Sequence, residues 1–500
     1  MSGLRIGLVC PYSFDRPGGV QNHVLGLAHA LRGLGHRPAI LAPGDLDAHH
    51  AGLPFTSAGP ALPVPYNGSI ARVSFGPVIA GRVRRWLRDG QFDLVHLHEP
   101  VTPSISLLAL RFAAVPVVAT FHTATPRSRT MQVAGDALRR LIEKIDAGIA
   151  VSEPARDVVI RHLGRDAVVI PNGFDHASFR ADQQARSGPS VWRGGDRPRL
   201  TFLGRLDEPR KGLPVLLAAL PAIRSAVGDI EMCLAGHGSA PGRTAGLPGV
   251  RVLGGLDERA KRALLSTTDV FVAPQIARES FGIVVLEALA AGAEVVASDL
   301  PAFADLLSRS DEAPLGHLFR RGDASRLAAQ IAAVLGGGVR HQPTAGERVL
   351  RYDWSVVAPA VAEVYAAAAA RPSGRLVDHQ ERVLRTWSAL DQALIRRARR
   401  ALEAADAGAG GPSRLPVHTA AAAALTAAAS GVPQPHRERA ESDLSRQLVA
   451  SGLIGPRSGL QAEHDRAALA RRLHNDAVAA AVRTRRSAEP SLRAFEMAES

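Results

Sequence analysis

Short, β-branched apolar segments that alternate with helical stretches leave a chain few folds to choose from, and here the alternation runs through twice. Unbroken apolar segments stand at 4–9, 38–42, 93–97, 116–121, 147–151 and 167–170, with helical spacing between them, most plainly at 20–34 and 136–145. Apolar runs without polar alternation are what strands covered on both faces require. Strand and helix in turn predict a parallel, doubly wound sheet. The pattern lapses in the polar stretch Asp182 to Arg199 and then begins again, with strands at 199–204, 230–235, 251–254, 269–273 and 294–298 and helices at 212–226, 258–266 and 282–291. The expected fold class is α/β, with two Rossmann-like domains over 1–178 and 179–353. A helix over 354–371, after Tyr352-Asp353-Trp354, completes the first. Such domains in series leave a cleft between the carboxyl ends of two sheets, where ligands bind.

After Pro372-Ser373-Gly374 the character changes. Residues 375–405 and 460–485 are helical in spacing and rich in arginine and alanine, with a Gly/Pro/Ser-rich loop around 407–416. Residues 375–500 are therefore expected to form a separate, mostly helical and partly disordered extension. A chain of 500 residues is in any case too long for one core. Its two cysteines, Cys10 and Cys233, cannot make a disulfide framework and read as reduced, buried thiols. The chain opens directly into the apolar run Leu4–Val9, so no secretory signal is expected, and no apolar run reaches the ~20 residues of a spanning helix. The net charge of +13 points to an anionic partner without choosing among nucleic acid, anionic lipid and nucleotide phosphates. No base-stacking aromatics interleave the arginines and no zinc or helix-turn-helix pattern is evident, which sets nucleic acid aside.

Five motifs carry chemistry. Pro17-Gly18-Gly19-Val20-Gln21 follows the first strand and opens a helix; paired glycines let the backbone approach a ligand, and a helix N-terminus attracts anions. A plain βα turn would look similar. Gly204-Arg205-Leu206-Asp207-Glu208-Pro209-Arg210-Lys211-Gly212 sets Arg205 and Lys211 at the two ends of a βα loop, as a diphosphate leaving group requires. Glu279-Ser280-Phe281-Gly282 is followed eight residues on by Glu287, in an otherwise apolar helix. That spacing is just over two helical turns, so both carboxylates are expected to face one end of the sheet. A carboxylate in an apolar helix needs a partner, and sugar hydroxyls are suitable donors. In Thr120-Phe121-His122-Thr123 the histidine ends a very apolar strand, where it can donate a hydrogen bond or exchange a proton near neutral pH. Finally, Gly81-Arg82-Val83-Arg84-Arg85-Trp86-Leu87-Arg88 reads as a short basic amphipathic helix suited to an anionic bilayer, or equally as a core-docked helix with a charged outer face.

Together these residues resemble glycosyltransferase family 4 of the GT-B fold. Glu279-x7-Glu287 is similar to that family's signature, and Gly204-Arg205 with Lys211 to its diphosphate site. Val9 to Gln21, Pro65-Tyr66-Asn67-Gly68-Ser69, Asp207 to Gly212 and Tyr352-Asp353-Trp354-Ser355 extend the resemblance, over about residues 4–372, to the branch that mannosylates phosphatidylinositol. The resemblance implies retaining transfer of mannose from GDP-mannose to the inositol of phosphatidylinositol, the first step of phosphatidylinositol mannoside synthesis. It also implies a cytoplasmic protein, peripheral on the cytoplasmic face of the plasma membrane.

By the same resemblance Gly19 lies against the donor phosphates, and Arg205 and Lys211 hold the diphosphate. Glu279 meets the mannose hydroxyls and Glu287 the ribose, with Ser280, Phe281 and Gly282 also in the donor site. His122 sits at the reacting centre, while Tyr12, Gln21, Tyr66, Asn67, Arg72 and Arg127 line the acceptor site. Arg82, Arg84, Arg85, Trp86 and Arg88 form the membrane-docking surface. No carboxylate is placed as a covalent nucleophile, so front-face transfer is implied, the leaving diphosphate helping to deprotonate the acceptor hydroxyl. No tightly bound cofactor is expected. No Asp-x-Asp metal motif is visible at a suitable strand end, Arg205 and Lys211 stand in for a metal by the same resemblance, and a divalent cation is expected at most to assist. Another nucleotide sugar or acceptor, or epimerisation, would use the same fold. Two departures from the pattern, Ala124 after His122-Thr123 and Pro126, bear on the acceptor contacts. In the extension, Ala470 to Val478 resembles the closing helix of the LemA family.

Overall fold

The computed structural model describes residues 3–15, 18–44, 52–66, 69–123, 141–163, 165–179, 197–244, 246–277, 279–308, 313–337, 345–369, 379–406, 414–429, 434–454 and 459–484. The first half contains β1 (Arg5–Val9), α1 (Gly19–Gly33), β2 (Arg37–Ala42), β3 (Phe55–Ser57), β4 (Leu62–Tyr66), β5 (Ser69–Val73), α2 (Pro77–Asp89), β6 (Leu94–His98), α3 (Ile105–Phe112), β7 (Val117–Phe121), β8 (Ala147–Ala150), α4 (Glu153–Leu163) and β9 (Val168–Val169). Its main sheet has the order 3-2-1-6-7-8-9, and β4 and β5 form a separate antiparallel hairpin. The order reverses beside β1, so the turn leaving β1 toward Gly18-Gly19 opens at a topological switch point.

The second half repeats the plan with β10 (Arg199–Leu203), α5 (Leu213–Val227), β11 (Glu231–Ala235), β12 (Val250–Gly254), α6 (Glu258–Ser266), β13 (Val270–Ala273), α7 (Ile283–Ala290), β14 (Glu294–Ser298), α8 (Pro301–Leu307), β15 (His317–Phe319) and α9 (Ala324–Leu335). Its sheet order is 12-11-10-13-14-15, with parallel pairing throughout. Here the switch point lies beside β10, at Gly204-Arg205. Leu200, Phe202, Leu216, Leu220, Val270 and Val296 are among the residues of its core, buried on the sheet faces as the unbroken apolar runs require.

α10 (Trp354–Ala369) leaves the second half and packs on the first. Its start is pinned to the segment after β9: Phe174 donates to the Tyr352 carbonyl at 3.0 Å, Trp354 donates to the Phe174 carbonyl at 3.1 Å, and Asp353 accepts from the His176 N–H at 3.0 Å. The Trp354 indole occupies the space that a Cβ at Gly26 or Gly173 would need. Farther along, the Tyr365 hydroxyl meets His96 Nδ1 at 2.7 Å.

Two compact units divide the chain. Met1–Asp146, Ala150–Val158 and Val169–Arg371 hold the second sheet and most of the first; the other unit joins Ala147–Ile149 of β8 and Val159–Val168, which ends in β9, to Pro372–Ser500. The extension is thus not a unit by itself. Within the second unit the buried Arg165 pairs with Asp476 through two bonds, at 2.6 and 3.1 Å, which gives a desolvated guanidinium its counter-charge. This unit holds α11 (His379–Asp406), α12 (Leu415–Ala429), α13 (Gln434–Ala450) and α14 (Gly459–Thr484). Small and aliphatic residues such as Ala401, Val417, Ala421, Leu444 and Leu448 make its core. Arg397, fully buried, donates to Glu441 at 2.6 Å and to Ser445 at 3.0 Å.

Trp86 departs from its expected place at a membrane. It is 9 % exposed, stacks on Phe92 with ring centroids 4.4 Å apart and lies against Gly7, with Ile79 and Val83 buried beside it. α2 is docked on the sheet, and its apolar stripe is core. Trp86→Ala is therefore expected to cost about 3–5 kcal/mol of stability, measured by denaturant unfolding. A variant with unchanged stability and weakened vesicle binding would restore tryptophan as a surface anchor.

Candidate active site

The turn after β10 is shaped by backbone sterics. Gly212 has φ +76°, and a Cβ there would collide with the Pro274 carbonyl, so only glycine lets this turn close against β13. The turn directs Lys211 at Glu279, with Nζ 2.9 Å from Oε2 and both side chains 17 % exposed. Burial alone would lift the Glu279 carboxyl, but the Lys211 ammonium, with Arg210 behind it, holds it below the usual carboxylate range. Arg205 is half-buried on the same turn.

The two glutamates do not share a helix. Gly282, with φ +96°, caps α7, so Glu279, Ser280 and Phe281 precede the helix and only Glu287 lies on it. Nor is Glu287 waiting for sugar hydroxyls with both oxygens. Its Oε1 already accepts from Lys261 Nζ at 2.7 Å, while its buried Oε2 has no hydrogen-bond partner among the described residues. Lys261 sits on α6 and also pairs with Glu258. Burial disfavours its charge, yet Glu287 and Glu258 outweigh burial and raise its pKa. Each carboxylate of the pair thus carries one ammonium. Lys261 was missed because a lysine in a polar helix reads as a solvated charge; only the adjacency of α6 and α7 shows otherwise.

On the other half, Gly19 opens α1 with no side-chain cap, and a Cβ there would meet nothing within 4 Å. Gln21 Nε2 donates to the Ser13 carbonyl at 2.9 Å, and the Ser13 N–H donates to the Arg72 carbonyl at 2.9 Å. Those two bonds gather the Tyr12 loop, Gln21 and Arg72. Tyr66 ends β4 opposite Ser69. Asn67 and Arg127 lie outside the described residues.

His122 is buried at the end of β7, its Nε2 2.9 Å from His98 Nδ1. Desolvation takes its pKa down to about 3, against the pull of a hydrogen bond with Asn172. It is therefore a neutral imidazole at pH 7, a hydrogen-bonding group and not one that ionises near neutrality as the sequence allowed. His23, His96 and His98 surround it, all lowered by burial. His23, His98 and His122 each offer a ring nitrogen, and these atoms lie within 4.8 Å of one another. They are the described group that could hold a metal ion, and the expectation of no metal site did not foresee them. His96 and His98 alternate on β6 and so share a face, but nothing in the sequence brings His23 and His122 to them. His23 Nδ1 and His98 Nε2 have no hydrogen-bond partner among the described residues, whereas His98 Nδ1 and His122 Nε2 are committed to each other.

Replacing Lys261 by methionine strands Glu287 in a buried site. The expected loss is about 3–5 kcal/mol at neutral pH. A carboxyl whose folded pKa is raised penalises folding only when ionised, so the loss shrinks as pH falls toward the ordinary glutamate range. Denaturant unfolding at two pH values checks this; equal stability of variant and parent at neutral pH contradicts it.

Known proteins agree with this architecture. A profile described as Glycosyltransferase Family 4 matches residues 17–178, and one described as Glycosyl transferases group 1 matches 197–336. The chain is 48% identical over 372 residues to the phosphatidyl-myo-inositol mannosyltransferase of Propionibacterium freudenreichii, covering 73% of this chain and 95% of that one. It is 46% identical over 371 residues to the protein of the same name from Mycobacterium leprae, covering 72% and 96%. Among solved structures, Anabaena Alr3699/HepE in complex with UDP and glucose superimposes with TM-score 0.55 at 20% identity, covering 73% of this chain and 100% of that one. Sucrose-phosphate synthase from Thermosynechococcus elongatus does so with TM-score 0.54 at 20% identity, covering 73% and 99%. Those two speak for the GT-B fold alone. A doubly repeated Rossmann plan, paired carboxylates at the second switch point and this identity over nearly the whole length of its relatives place the chain in the phosphatidyl-myo-inositol mannosyltransferase family of GT-B glycosyltransferases.

Proposed function

We propose that this enzyme transfers mannose from GDP-mannose to the inositol of phosphatidylinositol, with retention of configuration, at the cytoplasmic face of the plasma membrane. The acceptor follows from the names of its relatives. The donor reading is carried by one observation: the Lys211–Glu279 pair beside the turn of Arg205. On this reading Arg205 and Lys211 take the diphosphate, whose negative charge grows as the glycosidic bond breaks. Glu279, released from Lys211, accepts from mannose hydroxyls. Glu287 Oε2 accepts from the ribose while Lys261 holds Oε1. Gly19 lets the phosphates approach the N-terminus of α1. On the acceptor side, neutral His122 gives the inositol a hydrogen-bonding partner, and Tyr12, Gln21, Tyr66, Asn67, Arg72 and Arg127 hold the headgroup. The donor diphosphate oxygen takes the acceptor proton in a front-face step. This scheme uses no tightly bound cofactor, and a divalent cation only assists.

Membrane docking is peripheral. No described helix is long and apolar enough to cross a membrane. Arg82, Arg84, Arg85 and Arg88 are exposed on α2, and Phe75 (54 %) and Val78 (70 %) are exposed at its start. These two residues, with Leu62 on the hairpin at 67 %, supply the apolar contact that Trp86 does not. Electrostatic attraction to anionic lipid weakens with salt.

Incubation with labelled GDP-mannose, or UDP-sugars in its place, and phosphatidylinositol vesicles tests the reading. Label is expected in the lipid from GDP-mannose only, and His122→Ala is expected to abolish transfer while GDP binding survives. No lipid product, or loss of GDP binding in that variant, contradicts it. Vesicle binding should fall as salt rises; binding indifferent to salt contradicts the arginine surface.

A further inference from the structure

Glu99 follows β6 in a conformation that few side chains adopt. Its φ is +50°, and among the described residues only Gln91 shares a positive φ without being glycine. Such strain persists where the surroundings over-determine it. Here they do. The Glu99 N–H donates to the Thr120 carbonyl at 2.8 Å, and its carbonyl accepts from the Thr102 N–H at 3.1 Å. Its side chain, 2 % exposed, turns back on the end of β7. Oε1 accepts from the His122 backbone N–H at 2.8 Å and from the Thr123 hydroxyl at 2.8 Å, and the Thr123 backbone N–H also donates to the carboxylate. One buried side chain thus gathers three donors from two consecutive residues, one of them His122.

We propose that Glu99 is the positioning residue of the transfer site, clamping the turn after β7 so that His122 and Thr123 stand where the acceptor meets the donor. The proposal rests on the role given to His122 above. Glu99 touches no reacting atom on this account; it acts through the backbone of His122, while His98 holds the ring.

The clamp has a charge requirement. Three donors suit a carboxylate, and a protonated carboxyl would give up one acceptor site to a hydrogen. Burial pushes the Glu99 carboxyl up to about 7, against the hydrogen bonds from Thr123 and His122. The titratable groups packed around this end of the sheet are His96 and His98 on β6, His122 after β7, His23 on α1 and Tyr365 on α10. Burial lowers all four imidazoles and raises the tyrosine, so each stays neutral around pH 7.

The test is mannosyl transfer to phosphatidylinositol vesicles by the full chain and by its Glu99→Gln, Glu99→Ala and His122→Ala variants. Glu99→Gln keeps the shape, removes the charge and replaces one acceptor oxygen by a donor. It should lower kcat about tenfold at the parent's optimum, the scale of a lost charge-assisted hydrogen bond. KM for GDP-mannose and GDP affinity should stay unchanged, a split between kcat and KM that a merely structural role would not give. Unchanged GDP affinity certifies the fold, and if Glu99→Ala does not fold, Glu99→Gln carries the test. A Glu99→Gln enzyme with the parent's kcat overturns the proposal while leaving the role of His122 standing. Full transfer by His122→Ala overturns the role of His122, and the proposal with it.

Discussion

The Lys211–Glu279 and Lys261–Glu287 pairs place two carboxylates inside the second domain, each held by one ammonium. Burying a carboxylate is costly unless a counter-charge or several hydrogen-bond donors meet it, and the elements around the switch point provide a counter-charge. Gly212 closes the Pro209–Lys211 turn on β13 so that Lys211 reaches across to Glu279. Gly282 starts α7 late enough to leave Glu279 in the preceding loop while Glu287 faces α6. Losing Lys261 would strand Glu287 in the interior, so this corner of the candidate site and the local fold depend on the same bond.

The first domain solves the opposite problem. Four imidazoles meet at the carboxyl ends of β6 and β7 and on α1, and the interior keeps them uncharged by withholding water. Tyr365 and Trp354 bring α10 against the same cluster: the hydroxyl bonds His96, and the indole lies 5.3 Å from the His23 ring. α10 begins at the Phe174–Asp353 bridge, where the chain passes between the two sheets. The segment joining the domains therefore also packs the histidines.

Much of this was legible in the sequence, for physical reasons that also mark its limits. Strands such as Val117–Phe121 and Glu231–Ala235 are buried on both faces, so their apolar runs stand out. The β4–β5 hairpin did not show, because Pro63 and Pro65 interrupt the first of its strands and its faces alternate weakly. β3 and β15, at three residues each, are shorter than any periodicity can register. α12 and α13 were hidden by alanine, which carries no face, and by polar residues on all sides. For α2 the amphipathic pattern was real but did not say what its apolar stripe covers; Gly7 and Phe92 answered that it covers core. Arg205, Lys211, Glu279, Glu287 and His122 were visible as motifs at strand ends. Lys261, His98 and Glu99 were not, since their roles arise from partners 26, 24 and 23 residues away.

The central claim is that Glu279 is kept charged by Lys211 in order to be handed to the sugar, while the nucleotide is held by other groups. Calorimetric titration of the Glu279→Gln variant with GDP and with GDP-mannose tests it most directly. The account predicts that GDP binds as tightly as to the parent, or more tightly because Lys211 has lost its internal competitor, while the additional affinity conferred by mannose disappears. Equal weakening of GDP and GDP-mannose would contradict it, and would make Glu279 a structural support of the nucleotide site instead of the group that holds the sugar.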